Sequence, residues 1–445
     1  MNDKKIGMIS LGCAKNHVNS EQMLFLLKEA GFEVPGGING VDAVVVNTCS
    51  FIEDAKMEAI ETIIELGQMK AEGRIGRIIV AGCLPERYKG EIMPQMPEID
   101  AVVGTGSFDE IVNAVKTAIE GKERVTLFGD LSAPVSETER IITTSPAWAY
   151  LKIAEGCDNR CAFCVIPGIR GRYRSRQMEN ILSEARKLAE NGSKELIIVS
   201  QDTTKYGYDL YGKRRLKDLL AGLCDIQELK WIRLHYLHPQ DIDDELINHI
   251  AGNDKILKYL DLPIQHVSDE ILRKMRRRGT GEGMRALIGR IRAEIPGVVL
   301  RTSIIAGLPG EGEKEFGELC DFLNEVKIER TGVFKYSPEE GTDAALMDRP
   351  DPDTAAAREE ILINLQQRVL DRFNESRIGS VTPVLIEGQS GDCYYGRSYA
   401  ESPDVDGYIT VESKNLKLNN FYDVRITGAE MGELEVERSE LEVQG

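Results

Sequence analysis

The sequence lacks the features that would indicate a membrane protein, an exported protein or a repeat architecture. No apolar run approaches the roughly 18 residues that a membrane-spanning helix needs. The start, MNDKKIGMIS, has neither the apolar core nor the small-residue cleavage site of a signal peptide. No internal repeat or low-complexity tract is present. These absences predict a cytoplasmic protein that does not associate with membranes.

Positive charge is also scarce, with 55 Lys plus Arg against 73 Asp plus Glu and a formal net charge of -18. This balance argues against nucleic-acid binding by the whole surface, since counterion release rewards Lys and Arg, although it is compatible with a local basic groove. The 445 residues predict two to four domains with ordinary cores. Nine cysteines without an export signal indicate metal ligands or buried thiols and not a disulfide framework.

The pattern of apolar segments predicts an α/β protein with three regions. Residues 4–120 alternate strand-like and helix-like segments, as in a parallel α/β domain. Residues 143–373 contain six strand-and-helix units with short turns, which predicts a partial (β/α) barrel followed by a long connecting helix. Residues 376–445 read as short strands with glycine and proline turns, typical of a small antiparallel β-barrel. The polar stretch Asp130–Pro146 is predicted to be a linker.

Three cysteines lie within nine residues in the segment GCDNRCAFC, at Cys157, Cys161 and Cys164. A structural zinc site closes its shell with four protein ligands, but no fourth cysteine or histidine lies close behind, and the next histidine is His235. Three thiolates suit a 4Fe-4S cluster in which the fourth iron binds a ligand from outside the protein. The alternative is three structural cysteines crowded in a polar loop. The segment follows the first predicted barrel strand, so it lies on the face where such barrels carry their active sites.

Three apolar runs of the first region also end in cysteine, at Cys13, Cys49 and Cys83. The carboxyl ends of parallel strands line one crevice of an open sheet, so these residues could meet. A single cysteine of this kind is more often a small buried hydrophobe. Because all three of the leading strands end in cysteine, we favour a shared site over three separate buried cysteines.

The C-x3-C-x2-C motif after a barrel strand resembles the radical S-adenosylmethionine (SAM) superfamily, and Phe163 matches an aromatic residue often found before the last cysteine. The resemblance implies that the open iron chelates SAM and that an electron from the cluster releases methionine and a 5′-deoxyadenosyl radical. The cofactor then supplies the chemistry and the protein positions it. The resemblance also implies SAM contacts at strand ends, by Gln201, Asp202, Gln265 and Ser303. Gln201 and Asp202 could equally be loop caps.

The order of the three regions resembles the methylthiotransferases, in which an amino-terminal α/β domain with three cysteines precedes a radical SAM barrel and a TRAM domain. The likeness implies a second 4Fe-4S cluster on Cys13, Cys49 and Cys83 that carries the sulfur to be inserted into a C–H bond. Segments such as SLGCAKNHVNSE and SQDTTKYGYDLYG resemble the RimO subgroup, which modifies the β-carbon of an aspartate in small-subunit ribosomal protein S-twelve. No catalytic side chain is assigned beyond the clusters.

Two other functions stay open at this point. The MiaB subgroup modifies isopentenyladenosine in tRNA, but usually shows a glutamine-methionine-asparagine run where this chain has Ala14, Lys15 and Asn16. A non-catalytic iron–sulfur or zinc protein that binds ribosomes is the third alternative. Ala14, Asn19 and Ala162 depart from the residues frequent in the RimO subgroup, but none is a proposed ligand.

The distribution of charge bears on the partner. From Ile378 onward there are 13 acidic and 5 basic residues, a net charge of -8, which suits docking of a basic ribosomal protein better than gripping RNA. If extended, the run RGRYRSR would place four arginines on one side: Arg170, Arg172, Arg174 and Arg176. We favour a solvent-exposed face over an anion-binding site for them. The resemblance also implies a sulfur donor and a low-potential electron donor such as flavodoxin or ferredoxin. No heptad or swapped-strand pattern is visible, which favours a monomer.

Overall fold

The fold is taken from a computed structural model, which describes residues 4–121, 123–413, 415–430 and 433–438. The chain forms two compact units. The first unit comprises Met1–Thr143, Lys152–Asn180 and Ser337–Ala345. The second unit comprises Thr144–Leu151, Ile181–Tyr336 and Leu346–Gly445. All six cysteines predicted to be ligands belong to the first unit.

The first unit is built on a five-stranded parallel sheet in which neighbours in space follow the order of the chain. The strands are β1 (Ile6–Ser10), β2 (Ala43–Thr48), β3 (Arg77–Gly82), β4 (Ala101–Gly104) and β5 (Val125–Leu127). The helices are α1 (Ala14–Glu29), α2 (Glu53–Ala71), α3 (Cys83–Arg87), α4 (Ile92–Gln95) and α5 (Ile111–Glu120), with a 3-10 turn at Phe108–Glu110.

Apolar side chains alternate between the two faces of this sheet. Val45 and Ile79 pack with α1 and α5 on one face, whereas Val44, Val46 and Ile78 pack with α2 on the other. A parallel sheet covered by helices on both faces needs strands that are apolar throughout, and the segments AVVV and RIIV have this composition. The predicted parallel α/β domain is confirmed.

A short ladder in the first unit closes a long loop. Strand β6 (Trp148–Lys152) precedes β7 (Ala154–Glu155), which pairs antiparallel with β8 (Arg174–Ser175). The loop between β7 and β8 contains helix α6 (Ile166–Arg170).

The second unit contains a six-stranded open sheet in the order β13-β12-β11-β10-β9-β6. Neighbouring strands from β9 to β13 are parallel, as expected for a partial (β/α) barrel. The strands are β9 (Glu195–Val199), β10 (Trp231–Leu234), β11 (Ile256–Asp261), β12 (Val299–Ala306) and β13 (Arg330–Lys335). The helices are α7 (Met178–Glu190), α8 (Tyr208–Tyr211), α9 (Leu216–Cys224), α10 (Asp244–Ala251), α11 (Asp269–Lys274), α12 (Gly281–Glu294), α13 (Glu313–Val326) and α14 (Pro352–Arg377), with 3-10 turns at Thr203–Lys205 and Pro239–Asp241. A further 3-10 turn, Asp343–Leu346, belongs mainly to the first unit.

The carboxyl-terminal strands form a closed barrel in the order β14-β15-β16-β18-β17. They are β14 (Val381–Ser390), β15 (Cys393–Arg397), β16 (Ile409–Glu412), β17 (Phe421–Glu430) and β18 (Glu433–Arg438). The small barrel was predicted to be antiparallel, and four neighbouring pairs are, whereas β16 and β18 are parallel. Five strands cannot alternate in direction all the way around a ring, so one parallel pair is required. Tyr394 and Tyr422 fill its core.

The linker prediction is confirmed as regards secondary structure, because residues 128–147 form no helix or strand. This stretch is nevertheless anchored in the first unit. Arg140 pairs with the buried Glu21 at 2.5 Å, and Glu137 accepts from Arg176 at 2.5 Å. The predicted limits of the three regions stay predictions. Among the described residues, no helix is both long and apolar enough to cross a bilayer.

Candidate functional site

Cys13, Cys49 and Cys83 lie at the same edge of the parallel sheet. Cys49 and Cys83 directly follow β2 and β3, and Cys13 lies three residues after β1. The register pairs Ser10 with Asn47 and Thr48 with Gly82, so the three strands end side by side. The topology therefore brings together the three cysteines that the sequence placed at strand ends.

The backbone around these cysteines approaches closely. Gly12 has φ +86°, and a Cβ there would lie 2.6 Å from Cys49 Cβ and 3.2 Å from Cys49 Sγ. Cys13 is the residue immediately before α1, and Cys83 is the first residue of α3. The positive end of a helix stabilises a thiolate, so the start of α1 favours the ionised form of Cys13.

The three thiols influence one another electrostatically. Burial, together with the charges of Cys83 and Cys13, raises the pKa of Cys49 to about 12. Burial also raises the pKa of Cys83, against the opposing charge of Arg170. The pKa of Cys13 is lowered because Lys15 and Arg170 outweigh its burial. Ionising all three thiols together is costly without a cation, and a bound cationic metal group would relieve this repulsion.

The second set of cysteines is held in the loop between β7 and β8. The Cys157 amide donates to the Gly171 carbonyl at 3.1 Å, and the Cys164 amide donates to the Cys161 carbonyl at 3.1 Å. Gly156 has φ +80°, and a Cβ there would lie 2.1 Å from the Arg172 carbonyl oxygen. The ladder therefore fixes both ends of the loop, and Cys161 and Cys164 are half-buried.

The donor chemistry of both sets fits an iron–sulfur cluster. No group of three or more His, Cys, Asp or Glu side chains within the described ranges converges to hold a metal ion. A cubane cluster does not demand such convergence, because each thiolate binds a different iron. In both sets, three thiols occupy a fixed backbone frame and, in the part of the chain that the structure describes, no fourth cysteine accompanies them, which suits a cluster with one iron open to an outside ligand.

The frame around Gly12 gives a testable consequence. Gly12→Ala forces a left-handed alanine, which costs about 1–2 kcal/mol, and drives its methyl group into Cys49. We expect this variant, after anaerobic reconstitution, to lose most of the iron of one cluster, or roughly four irons per chain. Iron analysis on the folded protein measures the effect.

Gly36→Ala is the matched control, since a Cβ at Gly36 meets no atom within 4 Å. The control variant should retain full iron. Equal iron contents in the two variants would contradict the role assigned to the Gly12 turn.

Matches to known families cover the chain in the order of its regions. Residues 5–104 match the model described as "Uncharacterized protein family UPF0004". Residues 151–323 match the radical SAM superfamily, and residues 378–438 match the TRAM domain.

Two curated relatives extend the match over nearly the whole chain. The ribosomal protein uS12 methylthiotransferase RimO of Acetivibrio thermocellus is 48% identical over 434 residues, covering 95% of this chain and 96% of the relative. The protein of the same name from Pelotomaculum thermopropionicum is 49% identical, covering 95% and 97%.

This chain belongs to the RimO family. A solved structure of TsrM, a radical SAM methyltransferase from Kitasatospora setae with cobalamin and a [4Fe-4S] cluster bound, has a TM-score of 0.56 at 14% identity, covering 91% of this chain and 81% of that one. At that identity the likeness concerns the fold alone.

Of the residues expected around SAM in this RimO-family chain, the structure brings Gln265 and Ser303 into direct contact through a hydrogen bond. Gln265 has φ 72°, and its backbone N–H donates to the Ser303 backbone carbonyl at 2.8 Å, so these two residues are brought together. Gln201 and Asp202 follow β9, where Asp202 is 1% exposed and accepts from the Thr204 hydroxyl at 2.5 Å. Phe163 is half-buried and belongs to the first unit. Their contacts with SAM stay a prediction.

The interpretation of the arginine run as a solvated face is wrong for two of its members. Arg170 is 2% exposed and Arg176 is 5% exposed, while the side chain of Arg172 is 84% exposed. Arg176 donates to Glu137 and to the Lys152 carbonyl, so it anchors the linker. The sequence showed the alternating arginines but not their partners, which come from distant segments.

The acidic surplus of the small barrel is also not wholly a surface property. Glu387 and Glu401 are 8% and 3% exposed and pair with buried arginines. These two carboxylates are therefore not available to a docking partner. The other acidic side chains that are exposed still give this RimO-family barrel a negative surface.

Proposed function

We propose that this chain adds a methylthio group to the β-carbon of an aspartate of ribosomal protein uS12. The single observation that carries the proposal is the presence, in one compact unit, of two sets of three cysteines on fixed backbone frames. A chain with one set could cleave SAM, whereas sulfur insertion calls for a second site that holds sulfur. The relatives named above act, by their names, on uS12.

Each set would hold one 4Fe-4S cluster. Cys157, Cys161 and Cys164 would hold the cluster that binds SAM, and Cys13, Cys49 and Cys83 would hold the cluster that carries sulfur. When bound, the first cluster and SAM supply reductive cleavage of SAM to a 5′-deoxyadenosyl radical that abstracts hydrogen from an unactivated carbon. The chain itself provides thiolates, positions SAM and keeps water from the radical.

Several side chains are proposed to position SAM. Gln265 and Ser303, linked by their backbones, would face the adenosine part. Gln201 and Asp202 would face the amino group of the methionine part, where a carboxylate complements an ammonium. Phe163 would pack next to the cluster bound by its own loop.

The proposed partners follow from the chemistry. The chain requires a low-potential electron donor such as flavodoxin or ferredoxin and a source of sulfur, and it would act as a cytoplasmic monomer. The acidic surface of the small barrel would attract a protein rich in lysine and arginine. Modification of isopentenyladenosine in tRNA is not favoured, because the full-length relatives carry the RimO name.

The substrate is tested with the reconstituted protein, SAM, sulfide and dithionite. One reaction receives small ribosomal subunits and a second receives unmodified tRNA containing isopentenyladenosine. We expect a methylthio group in place of one hydrogen on an aspartate of uS12, seen by mass spectrometry of its peptides, and none in the digested tRNA. A methylthio group found only on the nucleoside would reject the proposed substrate.

A further inference from the structure

Arg170 is a buried cation that the reaction described above does not use. Its guanidinium donates to Cys83 Sγ at 3.3 Å and to Asn16 Oδ1 at 2.8 Å through one nitrogen. The other terminal nitrogen donates to Asn19 Oδ1 at 2.9 Å and to Glu155 Oε2 at 3.4 Å. At 2% exposure, almost no water screens these contacts.

The two asparagines are themselves held in place, which fixes the guanidinium. Asn16 Nδ2 donates to the Leu11 carbonyl at 2.7 Å and to the Thr48 carbonyl at 3.3 Å, so its Oδ1 is left to face Arg170. Asn19 Nδ2 donates to Gln22 Oε1 at 3.2 Å. Both asparagines lie on α1, the helix that begins directly after Cys13.

The same guanidinium reaches the segment that carries the other set of cysteines. Glu155 ends β7, two residues before Cys157, and its carboxylate also pairs with Lys152 at 2.9 Å. Arg170 therefore connects Cys83 with the strand that leads into Cys157. Burying a cation costs several kcal/mol unless it is paired, and here the pairing groups are a thiol, two amides and a carboxylate.

We propose that Arg170 is a positioning residue that sets the reduction potential of the cluster on Cys13, Cys49 and Cys83. This inference rests on the proposed function, since it requires a cluster at those cysteines. A charged N–H···S hydrogen bond at Cys83 stabilises the reduced cluster, which carries one more negative charge than the oxidised one. Hydrogen bonds to cluster sulfurs and nearby charge are established determinants of such potentials. Arg170 thereby makes this cluster easier to reduce.

The test isolates one cluster by starting from Cys161→Ala, so that bound iron belongs to the amino-terminal set. In this parent, Arg170 is changed to Gln or to Lys, and each protein is reconstituted anaerobically with iron and sulfide. Iron is counted, and the paramagnetic resonance of the reduced cluster is followed during a redox titration. Arg172→Gln is the matched control, since Arg172 is two residues away and exposed.

We expect the parent and the control to share one midpoint potential and Arg170→Gln to titrate at a more negative one. The ratio of reduced to oxidised cluster at a fixed potential should fall roughly tenfold, or about 59 mV for one electron. Arg170→Lys keeps the positive charge but loses the planar guanidinium with its two terminal donor nitrogens. The midpoint potential of this variant should therefore shift in the same direction by a smaller amount.

Two results would count against the inference and are distinguishable, and a third case is decided by Arg170→Lys. Full iron with an unchanged midpoint in both Arg170 variants overturns the inference and leaves the proposed function intact. A parent that binds no iron rejects the second cluster, and with it the inference. If Arg170→Gln loses its iron, the midpoint potential of Arg170→Lys decides the question. An unshifted midpoint in Arg170→Lys overturns the inference, and a negative shift supports it.

Discussion

Cys161→Ala should abolish SAM cleavage, whereas Cys49→Ala should leave SAM cleavage in place and abolish transfer of sulfur to the substrate. Each thiolate of a three-cysteine set would hold one iron, so removing one of three would leave the cluster with two anchors. The two variants separate the two proposed clusters because the cysteines belong to different segments, one at the end of β2 and the other in the loop between β7 and β8. The difference in activity should be as large as the assays can resolve.

Three measurements on the same preparations check this expectation. Iron should fall from roughly eight to roughly four per chain in each variant. The product 5′-deoxyadenosine, measured after adding SAM and dithionite, should disappear only in Cys161→Ala. Methylthiolated uS12 should disappear in both.

Cys393→Ala provides the control, since Cys393 is a half-buried thiol in β15 outside both sets. It should match the unchanged protein in all three measurements. Iron near four per chain in the unchanged protein, with no further loss in Cys49→Ala, would rule out the second cluster.

The first cysteine set shows how far sequence reasoning reaches. Apolar runs such as AVVV and RIIV identify buried parallel strands, and parallel strands end at one edge. The meeting of Cys13, Cys49 and Cys83 was therefore predictable from the pattern alone. Their cluster-binding role is a separate inference from the chemistry of thiolates.

Arg170 shows where that reasoning stops. Its partners Cys83 and Asn16 lie 87 and 154 residues away in the chain, and no local pattern reports such contacts. The sequence offered an alternation of arginines, for which exposure is the usual outcome. Burial of Arg170 and Arg176 depends on carboxylates and amides supplied by other segments, which only the folded chain brings together.

The same limit applies to the loop between β15 and β16. Composition indicated an acidic barrel, but Glu401 of this loop is 3% exposed and pairs with Arg330 at 2.9 Å and Arg377 at 2.6 Å. Arg330 begins β13 of the open sheet, and Arg377 ends α14. Within the second unit, this carboxylate therefore joins the small barrel to the sheet and to the connecting helix.

Glu401→Gln should destabilise the second unit by about 3–5 kcal/mol, because it removes the counter-charge that the buried Arg377 and Arg330 share and leaves Arg330 only the longer ion pair with Asp406 at 3.8 Å. The pKa of Glu401 is lowered to about 2, since Arg377 and Arg330 outweigh its burial. A lowered folded-state pKa means that the stabilisation is present above the ordinary value of 4.5 and is lost as pH falls towards about 2. The carboxylate should thus contribute roughly 3 kcal/mol at neutral pH that disappears across this acidic window.

Urea unfolding of the full chain at pH 7 and at pH 3, followed by circular dichroism, measures both effects. Glu401→Gln should lower the urea midpoint at pH 7 and should show a smaller fall on acidification than the unchanged protein, because the titrating group is gone. Glu412→Gln makes the same chemical change at an exposed position of β16 and should leave both midpoints in place. Equal midpoints for the two variants at pH 7 would mean that the joined arginines find other partners, and that Glu401 does not hold the small barrel to the sheet.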